Sequence, residues 1–343
     1  MPNNAFKTSI TSLLMGIIRK LRVLLASRNL FHNWLSAGIK YYLIKYHFTN
    51  EDIAIRFRCD NNKKYVLNLQ SYALIVNSYY DNLFKLMCNG EVIGRFFGII
   101  DLIYSNGEFL LRMPDGILLT IDSYSFNPLI IAETWLYDIH FLGFDLSDWF
   151  VLDIGAFVGD TALYYARRGA FVVAVEPLPS YYEAMLRNLE LNPELKSRII
   201  SINAAISSED GFVKFRTTID GSESIYGTDR FVTRTRSIKL STLINELGSR
   251  GIDISKFRVR VLKADCKGCE YELMNDGSLR LFDIAKIEYS GYLINKTYHE
   301  LMSKLEELGF RCRVWAHNEF AIKIGLDKHG TMTCIKKNEM IIR

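Results

Sequence analysis

In "VLDIGAFVGDTALYYA", residues 151–166, an apolar run carries Asp153, the small residues Gly155 and Ala156 follow, and Gly159 and Asp160 open a second apolar pattern. A strand that runs into a tight glycine turn and then a helix lets backbone approach a ligand at the carboxyl end of a sheet. Glu176 closes the next apolar run, 21 residues after Gly155, where a carboxylate can accept both hydroxyls of a ribose. The two features together predict a nucleoside-containing cofactor. The bland alternative is a strand-to-helix turn that holds nothing, and it leaves the spacing of Glu176 without a role.

Charge selects the cofactor. A dinucleotide site lays a pyrophosphate on its glycines and helix N-terminus, and Asp153 and Asp160 would repel one. S-adenosylmethionine has a sulfonium and an ammonium but no phosphate, so acidic flanks favour it. A dinucleotide-dependent oxidoreductase is the disfavoured alternative.

A second cluster lies in "VLKADCKGCEYELM", residues 261–274. Cys266 and Cys269 have the spacing of half a zinc site or of a redox pair. No second close Cys or His pair completes a zinc site, and Asp265 and Glu270 beside the thiols disfavour thiolate. The cysteines are therefore expected to pack as small side chains, and no metal is expected. Asp265, Glu270 and Glu288 stand at or near the carboxyl ends of predicted strands, where they can serve as general bases toward a hydroxyl acceptor. Acids also gather there as helix caps and salt bridges, and carboxylates alone would suit magnesium.

The elements that must hold these residues alternate from residue 149 onward. "WFVLDIG", "AFVVAVEP", "RIISINAAI", "RVRVLKAD" and "IAKIEYSG" read as buried strands, with helical patterns in "GDTALYYARRG", "SYYEAMLRNLELN" and "TYHELMSKLEELG". Such alternation predicts a mostly parallel sheet covered by helices. "RCRVWA" and "EFAIKI" are expected to pair antiparallel at one edge. Ahead of this domain, residues 51–127 contain short strand-like runs, with "RMPDGILL" as a hairpin. Residues after Pro128, "LIIAETWLYDIHFLG", have helical spacing up to Gly143.

The ordered motifs "VLDIGAFVGDTALYYARRGA", "VVAVEPLPSYYEAMLRNLELN", "INAAIS", "VLKADCKGCEYELM" and "AKIEYSG" resemble those of FkbM-type S-adenosylmethionine-dependent methyltransferases, particularly archaeal-looking members. The resemblance covers roughly residues 128–325. It implies a Rossmann-like class I methyltransferase sheet; the antiparallel edge hairpin and the N-terminal helical and β-rich accessory region rest on the residue patterns, and the first 127 residues gain little from the resemblance. It also implies that Asp153, Gly155 and Ala156 bracket the methionine part, that Glu176 holds the ribose, that Asn203 and Ala204 flank the adenine, and that Asp265 stands beside the methyl group. This chain departs from the family pattern at Phe157, where Asn is usual, and at Lys267, where Glu is usual. Those departures raise the alternative of a catalytically silent descendant that binds cofactor or a partner.

The resulting division is residues 1–50 as basic amphipathic helix, 51–127 as accessory region and 128–343 as the methyltransferase-like domain. The net charge of +4 conceals seven Lys or Arg and no acid in residues 1–50. The uncharged runs there are far shorter than the ~20 residues of a spanning helix, so no transmembrane helix is expected. The apolar stripe is expected to pack on the rest of the protein, leaving at most a weak peripheral membrane contact. Six cysteines in 343 residues are too sparse for a disulfide framework and suggest a reducing, cytoplasmic setting. The "KFRTTIDGSESIYGTDRFVTRTRSIKL" insertion, residues 214–240, reads as a flap for an anionic or sugar-like acceptor or as a solvated hairpin. The expected acceptor is a hydroxyl on a glycan, lipid-linked sugar or small molecule, and no nucleic-acid partner is expected.

Overall fold

A lysine in the middle of a buried strand needs a partner, and strand order decides which residue supplies it. The computed structural model describes residues 16–343 except 50, 61, 95–97, 106–107, 121–133, 136–143, 218–222, 317–318 and 337–343. The helical expectation after Pro128 lies outside the described residues apart from Thr134 and Trp135. The chain forms two compact units, Met1–Ile139 and His140–Arg343.

In the first unit, helix α1 (residues 16–27) is followed by α2 (Trp34–Lys45). Strands β1 (Ile53–Ile55) and β2 (Tyr65–Leu67) pair antiparallel. Helix α3 (Leu69–Tyr80) follows, then β3 (Phe84–Cys88), β4 (Glu91–Ile93), β5 (Ile100–Ser105), β6 (Glu108–Arg112) and β7 (Leu118–Thr120), in the sheet order β4-β3-β5-β6-β7. The "RMPDGILL" hairpin is present, with Arg112 opposite Leu118. Helix α3 is a feature the sequence reading missed. Tyr72, Ile75, Val76 and Tyr79 are buried at helical spacing, a signal masked by their β-branched and aromatic types and by the strands on either side.

The second unit begins with β8 (Trp149–Ile154), α4 (Asp160–Arg167), β9 (Phe171–Val175), α5 (Pro179–Glu190), the short α6 (Pro193–Lys196) and β10 (Ile199–Ile202). A small sheet follows, built from β11 (Ala205–Ile206), β12 (Gly211–Thr217), β13 (Glu223–Ser224) and β14 (Phe231–Ile238). The chain then continues through α7 (Leu240–Ser249), β15 (Val259–Ala264), α8 (Cys269–Leu273), β16 (Ile284–Ser290), α9 (Tyr298–Glu307), β17 (Phe310–Trp315), α10 (Glu319–Ile324) and β18 (His329–Lys336). The main sheet has the order β10-β9-β8-β15-β16-β18-β17. β18 runs antiparallel to both its neighbours, and the other pairings are parallel. This is the Rossmann-like sheet expected from the alternation. From β8 the chain winds outward through β9 and β10, then returns to lay β15 on the other side of β8. That reversal opens a crevice at the carboxyl ends of β8 and β15, where such sheets bind ligands.

Two expectations are corrected. "EFAIKI" is helix α10, with Ala321 buried and Ile322 72% exposed. The partner of the edge strand β17 is instead β18, which lies between β16 and β17 and forms seven register pairs with the first and six with the second. A strand held on both sides outcompetes one that would be held on a single side. Cys266 and Cys269, expected to pack as small side chains, are instead joined to each other, their Cα atoms brought to 5.4 Å by the turn between them, and Cys59–Cys88 and Cys312–Cys334 are joined as well. Cys312 and Cys334 stand directly opposite each other in the β17–β18 register, a proximity that their 22-residue separation conceals.

At the start of β15 and β16, the fully buried Asp283 carboxylate accepts from the Arg260 backbone N–H at 2.8 Å and from its Nε and Nη2 at 2.7 Å each. Removing one partner of such a pair strands the other. Asp283→Ala should lower the unfolding free energy by about 3 kcal/mol in urea denaturation, and a loss below about 1 kcal/mol would show the pair to be dispensable.

Candidate functional site at the sheet switch point

Asp153 and Lys263 are register partners on the adjacent strands β8 and β15. The alternation of a strand sends both side chains to one face, and the Lys263 ammonium meets Asp153 Oδ1 at 2.9 Å and the Gly155 carbonyl at 3.1 Å. Thr161, in the first turn of α4, donates to Asp153 Oδ2 at 2.5 Å. Asp153 is fully buried, so it braces the glycine turn from behind. Burial alone would pull the Lys263 ammonium toward neutrality, but Asp153, Asp265 and Asp160 outweigh it and raise its pKa. The sequence reading overlooked Lys263. Its signal was a lone lysine within the buried run "VRVLKA". This cation also halves the charge argument against a phosphate, because one of the two flanking acids is neutralised.

Gly155 has φ +75°, and a Cβ there would lie 1.9 Å from the Asp265 carbonyl oxygen. Glycine is therefore required twice, by its backbone angle and by the approach of β15. The Gly155 and Ala156 N–H groups both donate to the Val175 carbonyl, tying the turn to β9. Gly159 precedes α4, and Asp160 is buried in its first turn.

Glu176 emerges at the end of β9 and is nearly buried. Its Oε2 accepts from the Phe157 N–H at 2.9 Å and its Oε1 from the Leu178 N–H at 2.8 Å, so each oxygen keeps a second lone pair. Burial pushes its carboxyl up to about 8 against the lowering effect of those N–H groups. Asn203 donates from its side-chain amide to the Glu176 and Pro177 carbonyls at 2.9 and 3.2 Å, while Ala204 is buried in the core. Phe157 sits in the left-handed region at φ 50° and packs its ring edge-on to Tyr181, 4.5 Å between centroids. Lys267 is also left-handed, at φ 52°. Both departures from the family pattern thus occupy positions where L side chains are uncommon.

On the other side of the crevice, the Lys267 ammonium lies 3.5 Å from Asp265 Oδ1 and 3.2 Å from Glu288 Oε1. Burial opposes its charge, but Asp265, Glu288 and Tyr292 raise its pKa, so it stays protonated. It cannot serve as a base in this state. It also fills the space between two carboxylates where a divalent cation would have to stand, and among the described residues no group of three His, Cys, Asp or Glu could hold a metal. His329 Nε2 is 3.9 Å from Glu288 Oε1.

Glu270 is brought to the same region but turned inward. It is fully buried, its Oε2 accepts from the Gly268 N–H at 2.8 Å and its Oε1 from the Ser290 N–H at 2.5 Å. It therefore ties the Cys266–Gly268 loop to the end of β16. The insertion is held on this loop as well. Ser224 donates to the Lys267 carbonyl at 2.6 Å, and Tyr226 donates to Glu272. Of the two readings of residues 214–240, these contacts place the β13 end of the hairpin beside the site.

Residues 153–312 match the sequence model of the Methyltransferase FkbM domain. No curated protein matches the chain. Among solved structures, fibrillarin from Aeropyrum pernix in complex with natively bound S-adenosyl-L-methionine is 14% identical, covering 66% of this chain and 93% of that one at TM-score 0.33. The O-methyltransferase from Bacillus cereus in complex with SAH is 11% identical, covering 55% and 74% at TM-score 0.32. Precorrin-6y C5,15-methyltransferase from Geobacter metallireducens GS-15 is 11% identical, covering 55% and 80% at TM-score 0.31. The fold rests on the strand order: a Rossmann-like class I methyltransferase sheet with one reversed strand.

Burial also pushes the Glu270 carboxyl up, to about 7, against the lowering effect of the N–H groups of Ser290 and Gly268. A carboxyl whose folded pKa exceeds its unfolded value holds its proton more tightly in the native state, so its contribution to stability is present at low pH and lost as pH rises through the folded value. Stability in denaturant should therefore fall between about pH 5 and about pH 8, by on the order of 5 kcal/mol for Glu176 and about 3 kcal/mol for Glu270. Glu270→Gln should remove the Glu270 part of that slope. A stability that rises across the window would contradict it.

Proposed function

We propose that the FkbM methyltransferase domain carried by residues 153–312 transfers a methyl group from S-adenosylmethionine to a hydroxyl on a glycan, lipid-linked sugar or small molecule. The observation that carries this reading is the convergence at one switch point of the Gly155 turn, the Glu176 carboxylate and the Asp265–Lys267–Glu288 cluster. The fit to the cofactor rests on chemistry present in the site. Glu176 keeps a lone pair on each oxygen for a ribose, and Asp265 Oδ1, which has the Lys267 ammonium 3.5 Å away but no hydrogen bond, retains acceptor capacity. When bound, S-adenosylmethionine supplies an electrophilic methyl on a sulfonium.

The chain's own residues divide the remaining work. The Gly155 turn borders the methionine part and Glu176 holds the ribose, with Asp153 and Lys263 keeping that turn rigid from behind. Asn203 and Ala204 border the position that the adenine would take. Most of the acceleration in an in-line displacement comes from fixing nucleophile and methyl in attack geometry. Asp265 and Glu288 are the carboxylates placed to accept the acceptor's proton. Lys267 pairs with both and orients them. Glu270 sets the loop that carries Asp265 and does not act on the acceptor.

A silent, cofactor-binding descendant remains the second reading, favoured by the ion pairs that Lys267 makes with both candidate bases. Transfer from labelled S-adenosylmethionine to glycan, lipid and small-molecule pools distinguishes the two. Cofactor binding without transfer to any pool would establish the silent reading.

Above about pH 8, where Glu176 is a carboxylate, hydrogen bonds from two ribose hydroxyls are charge-assisted and worth about 1.5–3 kcal/mol each. Glu176→Ala should therefore weaken S-adenosylhomocysteine binding at least about 100-fold in calorimetric titration. Affinity within about twofold of the unsubstituted protein would remove the nucleotide role of Glu176.

A further inference from the structure

The N-terminal helices use two faces. Their inner face packs: Leu30, Phe31 and Ala37 are buried, Phe31 stacks on Tyr72 with centroids 5.9 Å apart, and a Cβ on Gly38 would fall 2.2 Å from Leu24 Cδ1. This agrees with the expectation that the segment docks on its own protein. A second apolar stripe is left outside. Ile17, Leu21 and Leu25 recur every four residues on α1, and Leu35, Ile39 and Leu43 do the same on α2. All six are between 40% and 54% exposed. Residues four apart lie on one side of a helix, so each helix carries a continuous ridge. Just past α2, Phe48 is 77% exposed.

Counted from the Leu24–Gly38 contact at about 100° per residue, both ridges lie to the same rotational side of their helices. Around them Lys20, Arg22, Arg28 and Lys45 are exposed. Residues 1–50 contain no Asp or Glu. The acids that do approach come from elsewhere, Asp81 pairing with Arg19 and Glu51 with Lys40.

We infer that this face is a peripheral docking surface for anionic phospholipid. An exposed apolar ridge rimmed by cations matches an interface whose acyl region takes Leu and Ile while its headgroups take Lys and Arg. A second copy of the chain would bring two rims of like charge together, which an isologous dimer cannot relieve. Among the described residues no helix is long and apolar enough to cross a membrane, so the attachment lies in the plane of the interface. The inference is independent of the methyltransferase reading, since the test involves no cofactor.

The full chain is sedimented with vesicles of phosphatidylcholine alone and of phosphatidylcholine mixed with phosphatidylglycerol. Partitioning into the anionic vesicles should be at least about tenfold stronger and should weaken as salt shortens the reach of the charges. Leu21→Glu combined with Ile39→Glu should lose about tenfold of it with an unchanged melting temperature, because both side chains are outside the core. Equal binding to the two vesicle types, binding unaffected by the double substitution, or a dimer that the same substitution dissociates in the absence of vesicle binding would overturn the inference.

Discussion

The buried ammonium of Lys263 is the contact on which the switch point depends. It joins β15 to β8 through Asp153 and caps the Gly155 carbonyl, so the strand that carries the acceptor-side acids and the turn that carries the cofactor site move as one. A bare aspartate at this depth would be too costly to keep ionised. Paired with Lys263 and Thr161, it becomes a rigid strut. The missing side chain of Gly155 completes the arrangement, because only a glycine lets the β15 end approach so closely.

The same principle recurs at the mouth of the crevice. Lys267 lies between Asp265 and Glu288 as Lys263 lies beside Asp153, and each lysine is held protonated by its neighbours against the effect of burial. Asp153, Asp265 and Glu288, which the sequence shows as separate acids, are in the fold paired with lysine. Glu176 and Glu270 differ from these. Each is buried with backbone N–H groups on its oxygens, and for each the cost of burial outweighs those bonds. The carboxyl end of the sheet therefore sets two carboxyl groups with raised pKa beside acids held in ion pairs with lysine.

The first unit follows a different logic. Its helices bury one side against β-structure rich in aromatic contacts, such as Phe31 with Phe57 at 5.1 Å between centroids. They leave the other side apolar and basic. A helix pair can afford such a surface only when something other than water meets it for part of the time.

By itself the sequence determined the alternating strands and helices of the second unit, the glycine turn, and the placement of Asp153, Glu176, Asp265 and Glu288 near strand ends, because periodicity and turn chemistry are local. The basic excess of the first fifty residues was equally legible. What only the tertiary structure decided is which side chains meet. Lys263 reaches Asp153 across 110 residues because their strands are adjacent in register; Cys312 faces Cys334 because β18 inserts between β16 and β17; Glu270 turns inward because two backbone N–H groups claim its oxygens. The same limit explains why "EFAIKI" folds as α10. A short apolar run suits helix or strand equally well, and the choice falls to whichever segment fills the place beside β17, here β18.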